Sequence, residues 1–213
     1  PMSFGYLGDT STKIKQVKKN DGVISIAEAY ELEKAGHLGG SLELIEQQTV
    51  SGTPTTLSFD SIKESEYNVH FMTISDYAPQ TDNRHLTIQF KVGGVADTDN
   101  DYQYAMQRIT ASTGAELKSG NDSRIYLAYN CANTTNETTN GYFYIYNAGD
   151  STKFTFVTSQ FMMIDKDSNQ SANFSTGVYD QAAIVNGIQF QTSGDPLEHG
   201  TFSLYGVKEL WVL

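Results

Sequence analysis

From about Leu42 onward, large apolar residues recur at every second position in short runs. That is the two-residue period of strands with one face buried. The closing run is Gly200-Thr-Phe-Ser-Leu-Tyr-Gly-Val207, where Phe202 and Leu204 alternate with Thr201 and Ser203. Its expected partner is far upstream, in Gly39-Gly-Ser-Leu-Glu-Leu-Ile-Glu46. If the two pair, Leu42 to Val207 is one β unit whose first strand meets its last. Between them the pattern gives a strand from Thr55 to Phe59, then Tyr67, Val69 and Phe71 set against Asn68, His70 and Met72. Further strands are expected around Leu86–Phe90, Tyr102–Met106, Ile125–Tyr129, Tyr142–Tyr146, Phe154–Phe156 with Phe161–Met163, and Ile184–Phe190. Turns rich in Gly, Asn and Asp separate them. Eight to ten such strands, with no helical period between them, predict an all-β chain. The expected form is an antiparallel β-sandwich, jelly-roll-like because first pairs with last.

One segment breaks the pattern. Ser25 to Gly36 has helical spacing, Ser25 and Glu28 form a capping box, and Gly36 can end the helix. The spacing predicts a short helix over about 26–35. Before it, Met2 to Gly22 reads as an extended arm. Phe4, Tyr6, Leu7, Ile14 and Val17, with the basic run Lys13, Lys15, Lys18 and Lys19, are candidates for attachment to a partner surface or to another subunit, the alternative being a loose terminus. The expected division is 1–41 for arm and helix, and 42–213 for the sandwich.

Charge narrows the partners. The net charge is −11, with 14 basic and 25 acidic residues. Lysines and acids balance over residues 1–40, so the excess lies in the body. Such a body repels nucleic acid and anionic lipid. No run approaches the roughly 18 apolar residues that span a bilayer, and no secretory leader pattern opens the chain. The single cysteine, Cys131, excludes an internal disulfide framework and fits synthesis in a reducing cytoplasm.

Little catalytic chemistry is visible. Asp97, Asp99 and Asp101 alternate as a calcium loop would, since hard cations take several carboxylate oxygens. Tyr102 and Arg108 stand where an EF-hand needs glycine and glutamate, so a solvated turn is preferred and no metal or other cofactor is expected. His37, His70, His85 and His199 have no zinc spacing, and His70 reads as a surface strand residue. No G-x-S-x-G elbow appears. The body's acids always offer the paired carboxylates of a glycosidase, but nothing singles out a pair, and the reading is non-enzymatic. Tyr126, Tyr129, Tyr142, Tyr144 and Tyr146 are dense. Exposed, they would form a glycan- or protein-binding face; alternatively, one alternate set packs the core.

Several segments together resemble a family of virion structural proteins of marine tailed phages of cyanobacteria and Pelagibacter. They are Met2-Ser-Phe-Gly-Tyr-Leu-Gly8, Gly39–Ile45, Gln48–Gly52, Ile62–Tyr67 with Val69-His70, Asn136-Glu-Thr with Asn140-Gly-Tyr142, and Gly200–Gly206. The resemblance implies a non-enzymatic particle component, made in the host cytoplasm and displayed on the virion as a capsid-decorating or fibre protein. Other virion proteins would be its partners, and analogy suggests a homotrimer. The alternative is a fibre module that binds a host-surface glycan.

Overall fold

The structure is a computed structural model that describes residues 30, 41–134 and 136–208. The chain divides between Gly40 and Ser41 into two units. Of the first, only Tyr30 is described, and it is helical and exposed. The expected arm, the rest of the helix over 26–35 and the candidate attachment residues Phe4 to Lys19 lie outside the described residues.

The second unit is all-β. Its strands are β1 (Leu42–Thr49), β2 (Thr56–Phe59), β3 (Val69–Pro79), β4 (Arg84–Val92), β5 (Val95–Ala96), β6 (Tyr102–Thr110) and β7 (Gly114–Asp122). They continue with β8 (Ile125–Cys131), β9 (Thr139–Tyr146), β10 (Thr155–Ile164), β11 (Gln170–Tyr179), β12 (Val185–Thr192) and β13 (Leu197–Val207). One sheet has the order β1-β13-β3-β9-β10-β11-β6-β7. The other has β2-β12-β4-β5, with β8 also paired to β4. Every strand pair is antiparallel.

Setting aside β5–β7 and β10–β11 leaves two sheets of four, β1-β13-β3-β9 and β2-β12-β4-β8. The chain crosses between them in the order of two Greek keys, which is the jelly-roll wrapping. The two excursions, β5–β7 and β10–β11, meet where β11 pairs β6. Together they widen one sheet to eight strands. First and last strands pair as expected: Leu42 opposes Val207 and Leu44 opposes Tyr205. A bulge between Leu44 and Glu46 then sets Leu204 opposite Glu46.

The two sheets are joined by aromatic side chains. Phe190 on β12 meets Phe202 on β13 at a centroid distance of 4.9 Å, and Phe143 on β9 and Phe59 on β2 each at 6.0 Å. All four rings are fully buried. Each contributes about 1.5–3 kcal/mol by leaving water.

Beyond the smaller sheet, the inner face of β11 turns polar. Ser175 donates to the Tyr126 carbonyl at 2.9 Å, and the Asn173 side-chain oxygen accepts from the Tyr129 N–H at 3.1 Å. These side chains supply partners to the backbone of β8, which has β4 alone as a strand neighbour. Gly177 lies against Ile125 of β8. A Cβ there would stand 2.7 Å from the Ile125 side chain.

Two expectations on strand phase are corrected. His70 is not a surface residue: it is fully buried, with Nε2 2.8 Å from the Ile62 carbonyl oxygen. On β3 the buried set is His70, Met72 and Ile74, while Val69, Phe71 and Thr73 are half-buried on the other side. Likewise Phe154 and Phe156 are exposed, and Val157, Phe161 and Met163 point inward. The core takes the smaller member of several alternating pairs and leaves the larger outside.

Candidate interaction surface

The phase reversals share a cause. Strands β3, β9 and β10 of the larger sheet are apolar on both sides, and the second set lies on its outer face. Register carries one row across the sheet: Leu44, Tyr205, Phe71, Tyr144, Thr158, Thr176. A second row runs through Leu42, Val69, Tyr146, Phe156 and Val178. Phe71 anchors a ring cluster, 4.8 Å from Tyr144, 5.8 Å from Tyr142 and 6.1 Å from Tyr205. Farther along, Phe156 (46% exposed), Met162 (53%) and Phe174 (42%) stand in water. A shallow open depression of about 450 Å³ lies among Tyr146, Phe156, Thr158, Thr176 and Val178. In registered positions from β1 to β6, the outward residues are Leu, Val, Ile, Met, Phe, Tyr, Ala, Thr, Ser, Gln and Asn, with His199 at one end of β13 as the exception. Charge stands at the margin: Asp76 at a bulge with His199 4.0 Å away and Glu198 next to it in sequence, Asp180 just past β11, and the Lys118–Glu116 pair on β7.

The five candidate tyrosines separate into two groups. Tyr142, Tyr144 and Tyr146 lie together on this face, and the Tyr142 hydroxyl donates to Gln160 at 3.0 Å. Tyr126 and Tyr129 sit on β8 instead. There the Tyr129 ring stacks on His85 at 3.8 Å, and Tyr126 lies 4.8 Å from Tyr104. Burial pushes the Tyr104 hydroxyl up to about 12, with Tyr126 and Asp122 adding to it. His85 is held neutral: burial lowers its pKa to about 4, and its Nδ1 accepts the Asn130 N–H at 3.0 Å. None of the five packs the core, contrary to the expectation for half of them. Among the described residues the buried tyrosines are Tyr67, Tyr77, Tyr102 and Tyr179.

Asp97, Asp99 and Asp101 do come together, with carboxylate oxygens all within 4.8 Å of one another. Both oxygens of Asp97 are engaged by the protein. One accepts the Asp99 N–H at 2.9 Å and the other accepts the Tyr179 hydroxyl at 2.5 Å. The Tyr102 hydroxyl donates to the Asp97 carbonyl at 3.1 Å. The loop is thereby tied to the core, as a structural turn needs. Elsewhere Arg108 pairs with the buried Asp165, whose other oxygen accepts two backbone N–H groups at 3.0 Å. That pair fixes the β10–β11 turn.

Sequence reasoning placed its candidates among the tyrosines and missed Phe71, Phe156, Met162, Phe174 and Tyr205. The usable signal was the lack of charge at both parities in these strands. Among the described residues no helix is long and apolar enough to cross a membrane. No protein-family model, curated protein or solved structure matches the chain.

Proposed function

We propose that this protein is a non-enzymatic structural component of a tailed-phage particle, displayed on its surface as a capsid-decorating or fibre protein. One observation supports this above the others. Two segments that bear the resemblance, around Leu42–Ile45 and Gly200–Gly206, are the strand pair that brings the first and last strands of a jelly roll together. Jelly rolls serve in capsids and in lectins, so the fold suits the role without requiring it. The uncharged aromatic face suits a protein that works by docking. Residues 1–41 are assigned to attachment and the body to display.

Immunogold labelling of purified phage particles with antibody to the body tests the reading. Labelling at a fixed position, with the chain present in gradient-purified particles, is the expected result. Particles that lack the chain would refute it. Deleting residues 2–36 should leave a folded β-body that no longer enters particles.

A second reading, a module that binds host-surface glycan, is favoured by Tyr146 and Phe156 lining the open depression, with Tyr144 opposite its Thr158. Rings stack on sugars, and Thr and Gln bond to hydroxyls. Retention on host cells, lost in Tyr144→Ala, would support it.

A further inference from the structure

We propose that the outer face of the eight-stranded sheet is where a second copy of this chain docks, sheet on sheet, about a two-fold axis. The pairing stands whether or not the chain is a particle component.

The absence of charge comes first. Soluble surfaces are about 25–35% charged, and this protein is strongly acidic, yet the rows that run from Leu42 and Leu44 across to β6 hold no charged residue, and Asp76, Glu198 and His199 lie together at one end of β3 and β13. The charges stand at the rim, and rings fill the middle. Interfaces have this anatomy, with charge depleted and aromatics enriched at the centre.

Area comes second. Seven strands about 4.8 Å apart, each eight or so residues long at about 3.3 Å, give a face of roughly 900 Å². A stable interface needs about 800 Å² from each partner.

The choice of a second copy rests on charge complementarity. Two bodies of net charge −11 repel, and a neutral face is where they can meet at the least of that cost. A partner chosen to complement this acidic chain would be cationic, and cations find no acid here. A broad sheet face meets its own image readily, since sheets pack face to face at about 10 Å. An isologous contact closes after two copies, where the family analogy gave three.

Sedimentation equilibrium on the full chain reads the mass across a concentration series. The expected mass is twice the 23.5 kDa of one chain. Thr158→Lys puts a charge at the centre of the face, on an exposed position. It should weaken pairing by about a hundredfold or more, because a charge buried without a partner is costly in each copy. Thr176→Lys, directly across the strand pair, should act alike. Ser58→Lys, on the outer side of the smaller sheet, should leave the mass unchanged. Circular dichroism confirms that each variant folds. A monomer at every concentration, a mass of three copies, or folded Thr158→Lys and Thr176→Lys variants that keep the parent mass would each overturn the proposal. The monomer result would do so whether the face is left to solvent, to residues 1–40, to a neutral glycan or to another protein.

Discussion

On the outer side of the smaller sheet, polar side chains bond to one another or to the backbone, with the Gln191 side-chain nitrogen as an exception. Gln89 donates to the Ser123 carbonyl at 2.9 Å, Gln189 donates to Gln89 at 3.3 Å, and Thr87 donates to the Gln191 carbonyl at 3.1 Å. On the outer side of the larger sheet, Phe156, Met162 and Phe174 keep large apolar areas in water. Both faces are poor in charge, but only one leaves large apolar groups unsheltered. A face whose groups bond among themselves has little left to offer a partner. A face of exposed rings is incomplete on its own, because apolar area left in water forgoes about 25 cal/mol per Å².

The strongest way to break this contrast is to empty the layer that both sheets share. Phe190→Ala should cost about 3–5 kcal/mol of unfolding free energy, as large-to-small changes in cores do. Urea denaturation measures it, and a cost under 1 kcal/mol would mean the sheets are not held together there. Next comes the contact that seats β8. Gly177→Ala drives a methyl into Ile125 and should cost about 1–3 kcal/mol by overpacking, read the same way. A change on the inner side should leave the outer face's pairing intact if the protein still folds.

Acid sharpens the comparison at the edge of the smaller sheet. His85 has a folded pKa of about 4 and an unfolded one near 6.5. The unfolded chain therefore binds more protons between these values. The stability that neutral His85 contributes is full above about pH 6.5 and is lost as pH falls towards 4. The ring is partly exposed, so the loss is about 1–2 kcal/mol. His85→Gln should flatten the fall in urea midpoint over this window. Buried His70, its pKa also lowered by burial, leaves a residual slope of the same sign. The smallest effect belongs to the finished face. Gln189→Ala removes one side-chain hydrogen bond and should cost under about 1 kcal/mol, with no change in oligomeric mass.

How far the sequence could be read depended on how different the two sides of each strand are. The pairing of β1 with β13 was legible because Phe202 and Leu204 alternate with small polar residues and glycines mark the run. β11 was not expected, because its inner face meets the backbone of β8 and so carries Ser171, Asn173 and Ser175, which bear no hydrophobic signal. β7 was missed because it is an edge strand, almost wholly exposed. On β3, β9 and β10 both sides are apolar, so alternation could locate the strands but not their phase. That is why His70 was placed outside, and why tyrosines were offered to the core while Phe143 and Ile145 fill it. The interaction face was hidden by the same ambiguity, and only register brought its residues into one row.

One last consequence concerns pulling. Ser41 and Lys208 leave the body from the same end of an antiparallel pair, joined by a backbone bond of 2.8 Å from the Lys208 N–H to the Ser41 carbonyl. A load applied between these two points meets the β1–β13 ladder one rung at a time, like a zip drawn from its open end. The body should therefore yield at small force along that axis, however well its interior resists heat or urea.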